Sequence, residues 1–468
     1  MGPQANTSFR SAAPGEVVRV LVALVVVSVG AASFAMAFRA GLHSIYVALL
    51  GAHDVLEVFS RLSWPMRLVL PAFGGLLAGL VGMIRVRAPS QNVGDVMEAV
   101  VLGRTRLSLS STWWKAVGSW LAIATGGSVG REGPLIQFGG SLGAAVANRT
   151  GIHGDTARSL IAAGTAAGFA AAYNTPFAAV LFVVEVVTGV VVIDALGLVL
   201  IATAISTALV RATVGGGPIY GQRAFSTTTT PELVAYAVLG ILAALVGQGF
   251  MRLLAAGEHV VHRTRVPQPW RAALGGLVVG ALALAWPQVT GNGYEPLNVL
   301  LDEHYAVGLV VVLLFAKAVA TTASVSTGSP GGVFTPSLFI GGALGLVYGH
   351  FVSGYVGAPG SEGGYALVGM AAMIAATTRA PLMAAVLVFE LSGDYAIVLP
   401  LVLATAFATL LSRRLSVESI YTAELSRRGV SWEVTLQGRE VREVREDTEA
   451  KDTSAERTHR SHRSSDPG

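Results

Sequence analysis

The chain has 468 residues, of which 53% are hydrophobic and only 13% charged, with a mean hydropathy of +0.62. Soluble domains carry nearer a quarter of charged residues, so this balance excludes an ordinary soluble protein and predicts a polytopic membrane protein. The absence of cysteine excludes disulfides, thiolate metal centres and cysteine nucleophiles, and a net charge of only +4, carried by arginines in loops and tail, argues against nucleic-acid binding.

In chain order, residues 1–15 are polar and read as a flexible N-terminus. A signal peptide is the alternative for the next stretch, but the apolar run 20–38 is longer than a secretory h-region. Runs 20–38, 159–184, 233–251, 272–294 and 395–412 lack charged side chains and are each about long enough to span a bilayer. They fall into a first membrane repeat over 16–213, a Gly/Thr-rich linker over 214–231 and a second repeat over 232–412. A helix over 413–425 and a charged tail over 426–468, expected to be disordered, complete the chain. Arg10, Arg19, Arg85, Arg87, Arg104, Arg106, Arg413 and Arg414 share one side, which the positive-inside rule makes cytoplasmic, with both termini.

Residues 126–143, GGSVGREGPLIQFGGSLG, set Arg131 and Glu132 between glycines inside an uncharged apolar region. Gly-x-x-Gly-Pro favours a break followed by a new helix, whose first amides point at whatever lies there. The stretch recurs at 329–345, SPGGVFTPSLFIGGALG, with Pro134 over Pro336. Gly164, Pro176 and Glu185 repeat as Gly369, Pro381 and Glu390, and Gly74, Gly75 and Gly79 as Gly275, Gly276 and Gly280. Matching glycine-interrupted apolar segments in two halves point to a transporter site made by broken-helix termini. The uncharged run 318–361 is too long for one helix and predicts segments meeting inside the membrane.

Glu132 is the sharpest candidate, because an ionisable group in a membrane is costly and marks function by default. Its plain alternative is an acidic first-turn residue stabilised by the helix dipole. Beside amides that favour anions, its carboxylate behaves as a tethered anion. Val333 and Phe334 are the counterpart in the second copy, and being apolar they can offer only backbone N–H groups; simple helix packing is the alternative. Glu185 and Glu390 occupy equivalent positions and serve either the site or their helix ends. Lys115, Arg131, Lys317 and Arg379 read as counter-charges or snorkelling side chains. Two G-x-S-x-G matches follow no strand and have no positioned partners, so no enzyme is predicted. His259 and His262 in EHVVHR lack a third metal ligand and read as a solvated helix end.

These residues resemble the CLC family of chloride channels and proton/chloride antiporters. GREGP at 130–134, GGVFTP at 331–336, AAYNTPFAAVLFVVE, AATTRAPLMAAVLVFE and SIYTAEL around Tyr421 carry the resemblance, which extends from about residue 20 to 425. It implies an all-α fold of two inverted-topology repeats with broken and re-entrant helices, and a homodimer with one pathway per subunit. By position, Glu132 matches the gate and Val333 and Phe334 the amide donors, with Gly130, Arg131 and Gly133 of GREGP beside them. Tyr421 matches the inner tyrosine; without the family it reads as an interfacial aromatic. Gln91 falls where the family's ion-contacting serine stands, and an amide side chain can still donate to an anion. Val186 replaces a glutamate that passes protons in the antiporter branch. The resemblance therefore implies a passive anion channel, carrying chloride past a Glu132 gate. The alternative is a proton-coupled antiporter with Glu132 and Glu185 on the proton path. No cofactor is implied beyond the bound chloride or other inorganic anion, and the location implied is a bacterial inner membrane.

Overall fold

The computed structural model describes residues 14–83, 92–103, 107–220, 230–302, 305–356, 362–416, 418–427, 430–435 and 438–443. The first half contains α1 (Pro14–Leu50), α2 (Val55–Arg61), α3 (Trp64–Met83), α4 (Val93–Leu102), α5 (Leu109–Ala124), α6 (Glu132–Thr150), α7 (Gly154–Tyr173), α8 (Pro176–Leu181) and α9 (Ile193–Val214). A π-helical turn, Phe182–Thr188, continues α8. The second half contains α10 (Thr230–Arg263), α11 (Gln268–Ala285), α12 (Tyr294–Asp302), α13 (Val307–Ser326), α14 (Phe334–Val356), α15 (Glu362–Thr378), α16 (Pro381–Ser392) and α17 (Val398–Leu415). Among the described residues seven helices are long and apolar enough to cross a membrane, and Pro176–Thr188 and Pro381–Ser392 are apolar but shorter.

Beyond α17, α18 (Thr422–Arg427) leads into β1 (Val430–Thr435) and β2 (Gly438–Glu443), which pair antiparallel from Val430–Glu443 to Thr435–Gly438. This hairpin stands where the sequence reading expects a disordered tail. VSWEVT alternates apolar and polar residues, a strand pattern that the charge density of the tail masks.

The repeats are inverted, and their contacts show it directly. On α3 and α11, Gly75 lies against the backbone carbonyl of Ala272, and the equivalent Gly276 lies against that of Pro71. A methyl group at either glycine would run into the opposing backbone, so close crossing requires the missing Cβ. Ascending residues on one helix meet descending residues on the other, so α3 and α11 are antiparallel. Reciprocal contacts between equivalent positions need a two-fold axis between them. For helices that cross a membrane antiparallel to each other, that axis lies in the membrane plane.

α7 and α15 form the centre of the molecule, with α15 buried from Gly364 to Thr378. Their alanine and glycine faces let α6 pack on α7 and α14 on α15 backbone to backbone, where side chains of ordinary size would hold the helices apart. That packing carries the first turns of α6 and α14 into the interior, although those turns start from irregular backbone. Irregular backbone is tolerated at such depth only when protein or a wet cavity surrounds it.

Candidate functional site

The two glycine-framed breaks meet on the pseudo-two-fold axis. Gly130 N–H donates to Gly332 O at 2.6 Å, and Gly332 N–H donates to Gly130 O at 2.8 Å. This is an isolated antiparallel bridge between residues 202 positions apart, the offset of the repeat itself. Gly130 thus spends its own amide and carbonyl on placing α6 and α14 head to head.

Glu132, at the start of α6, reaches across to α14 and is 1% exposed. Its Oε1 accepts from Phe334 N–H at 2.9 Å and from Thr335 N–H at 3.4 Å. Its Oε2 accepts from the Thr335 hydroxyl at 2.8 Å. The carboxylate therefore occupies the anion-favouring N-terminus of the other repeat's helix, where the first amides have no intrahelical acceptor. Tyr173 OH lies 2.8 Å from Thr335 Oγ1. A threonine hydroxyl has one proton, so while Thr335 donates to an ionised Glu132 the Tyr173 hydroxyl donates to Thr335.

The support around this contact is polar. Ser128 N–H donates to Ser324 Oγ at 3.2 Å, and the Ser128 and Thr321 hydroxyls are 3.0 Å apart, so α13 holds the loop ahead of Glu132. Lys317, on the same helix and fully buried, donates to the carbonyls of Val289 and Gly291, both at 2.9 Å. Gly291 N–H in turn donates to Gly126 O at 3.1 Å. A buried ammonium needs such a cage, and here it fixes the turn on which the gate segment rests.

A cavity of about 1000 Å³ runs from Glu132 to the side of the molecule that carries the C-terminal segment. Gly133, Val333, Phe334 and Tyr421 line it, with Asn92 and Val93 from the start of α4. Asn92 is held by a reciprocal capping box with Asp95. Tyr421 sits edge-on to Phe182 at 5.9 Å. Its backbone is placed by Arg379, which donates to the carbonyls of Ser416 at 2.7 Å and Glu418 at 2.8 Å, and by Ile420 N–H, which donates to Thr377 O at 2.9 Å.

The structure thus brings Glu132, Gly133, Val333, Phe334 and Tyr421 to one cavity. The Arg131 side chain leaves it: the guanidinium lies 6.0 Å from the centre of the Tyr294 ring and 3.5 Å from Ala172 O. Gln91 lies outside the described residues. Glu185 accepts from Leu382 N–H at 3.3 Å and Met383 N–H at 2.7 Å, and so caps α16. The sequence reading missed Thr335 and Tyr173. For Thr335 a signal was present, since a hydroxyl beside Phe334 shares the exposed first turn.

The pattern described as voltage gated chloride channel matches residues 74–413. The chain belongs to that family. It is a multi-pass CLC-type anion transporter. A putative ClcB-like chloride channel protein of Ralstonia nicotianae is 38% identical over 399 residues, covering 84% of this chain and 93% of that one. The voltage-gated ClC-type chloride channel ClcB of Citrobacter koseri is 32% identical over 379 residues, 79% of this chain and 89% of its own. Among solved structures, a slow cyanobacterial Cl−/H+ antiporter matches with a TM-score of 0.78 at 25% identity, covering 88% of this chain and 98% of that one. A CLC-type fluoride/proton antiporter shares the fold, with a TM-score of 0.73 at 23% identity over 88% of this chain and 98% of its own.

Proposed function

We propose that the chain is a passive anion channel, conducting chloride, whose gate is the Glu132 carboxylate. The supporting observation is the 2.9 Å hydrogen bond from Phe334 N–H to Glu132 Oε1, which puts a tethered anion on donors suited to a free one. A permeant anion and the carboxylate compete for one set of amides, and protonation of Glu132 or displacement by an anion opens the way. Chloride is the ion named for the ClcB relatives, and Gln91, in place of the family's serine, is the side chain that tunes selectivity. No cofactor takes part beyond the anion itself.

Val186, next to Glu185, has no proton to give, and Glu185 spends both carboxylate oxygens on α16, which favours uncoupled flow. The second reading is proton-coupled antiport, with Glu132 and Glu185 carrying the proton. The likeness to the cyanobacterial antiporter favours it. In either case the protein is a homodimer in a bacterial inner membrane, with its termini and the cavity mouth cytoplasmic.

Purified protein in liposomes under a chloride gradient separates the readings. Chloride flux without uphill proton movement supports the channel. Proton pumping against its gradient establishes antiport, and absence of any anion flux removes both.

A further inference from the structure

The cavity that leads to Glu132 is a funnel whose wall charge depends on the state of two histidines. Besides the gate, its walls carry six charged or titratable side chains of acid or basic type among the described residues: Lys115 on α5, Arg252, Glu258, His259 and His262 on α10, and Glu418 after α17. Lys115 and Arg252 balance Glu258 and Glu418. With both imidazoles neutral the wall sums to zero, and with both protonated it sums to +2.

Helix geometry puts the histidines there. Arg252 and His259 are seven residues apart, two turns of α10, and so lie on one face, with His262 a turn further toward the mouth. Both imidazoles are exposed on the cavity wall. Among the described residues no group of three ligands gathers around them to hold a metal. Imidazole is the side chain whose unperturbed charge changes between pH 5 and 8.

Resting on the anion pathway described above, we propose that His259 and His262 are a charge switch on anion entry: protonated, they draw inorganic anions into the funnel from the side that carries the C-terminal segment. Across water, a unit charge about 10 Å from an anion changes its local concentration about twofold, so two charges give about threefold to fourfold. Salt screens this effect, because the Debye length falls from about 10 Å at 0.1 M to about 3 Å at 1 M.

The test clamps pH on the funnel side of reconstituted protein at 7.5 or 5.5, with the other side fixed, and compares the wild type with His259→Asn/His262→Asn. At low ionic strength the histidines should contribute a roughly threefold to fourfold share of the wild-type gain at pH 5.5, a share that shrinks at high salt and is lost in the double variant. Because acid on this side also reaches Glu132, a second arm works at constant pH. The chain has no cysteine, so His259→Cys offers a single thiol for charged thiosulfonates. A cationic adduct should raise anion flux and an anionic adduct of similar size should lower it. Equal effects of the two reagents, no effect of either, or an unchanged acid response in the double variant overturns the switch. A wild type that moves no anion at either pH removes the transport reading instead.

Discussion

Glu185 and Glu390 exchange caps across the repeat boundary. Glu185, in the first repeat, accepts from the amides of Leu382 and Met383 at the start of α16. Glu390, in the second, accepts from those of Phe177 at 3.1 Å and Ala178 at 2.8 Å at the start of α8. Each repeat thus supplies the anion that the other repeat's broken helix needs, which locks the halves without a salt bridge.

The swap makes a paired prediction. Glu185→Ala and Glu390→Ala should each destabilise by roughly 2–6 kcal/mol, since each orphans two amides at about 1–3 kcal/mol apiece. The glutamine variants, which keep an acceptor oxygen, should lose about half as much. Thermal denaturation in detergent reads both series, and a loss in only one would show that the caps are not equivalent. If Glu185 also relays protons, Glu185→Gln stops proton movement and Glu390→Gln does not.

Glu132→Gln should bind chloride about fivefold more tightly than the wild type, because a neutral amide competes for the amides of α14 by about 1 kcal/mol less than a carboxylate. Its flux should lose the part of the pH response that Glu132 carries, keeping at most the modest acid rise supplied by the funnel histidines, whereas wild-type flux should rise more as pH falls and Glu132 takes up a proton. Titration calorimetry and a flux profile check the two statements separately. A wild-type pH profile in the variant would show that another group sets the gate.

Thr335 and Tyr173 set where that acid opening occurs. Thr335→Val removes a charge-assisted bond to Oε2, worth about 1.5–3 kcal/mol to the ionised carboxylate. The ionised form then holds its proton-free state less well, so opening should begin at higher pH, by roughly 1–2 units at about 1.36 kcal/mol per unit. Tyr173→Phe, acting through the Thr335 hydroxyl, should shift the profile the same way by a smaller amount. A shift toward lower pH would mean that these hydroxyls favour the neutral acid.

Some of this site was legible in the sequence because its signals are local. A glutamate in an uncharged run, glycines before a proline and a second copy two hundred residues on identify Glu132 and Phe334 without coordinates. The Tyr173–Thr335 bond was not legible, since it joins residues 162 apart that meet only where the end of α7 reaches the first turn of α14. His259 and His262 read as a solvated helix end, because nothing local shows that α10 continues unbroken for 34 residues and lays that end along the cavity. Arg131 was over-read: beside the gate in sequence, its side chain projects to Tyr294, since successive residues point in different directions where the helix begins.

Gly332 offers the most direct test of where the carboxylate rests. A methyl group there would land on Glu132 Oε1, and one at Gly130 would land on both carboxylate oxygens. Neither glycine has a positive φ, so alanine costs no backbone strain and the Gly130–Gly332 bridge can persist. The flexible carboxylate must yield instead. Gly332→Ala and Gly130→Ala should therefore fold with melting temperatures near wild type, yet conduct at neutral pH with the flattened profile of Glu132→Gln. Because they act through the same group, adding Gly332→Ala to Glu132→Gln should change flux little further, a non-additivity that a double-mutant cycle measures. Two alanine variants with the wild-type pH profile would show that the Glu132 carboxylate does not close the pathway from the amides of α14.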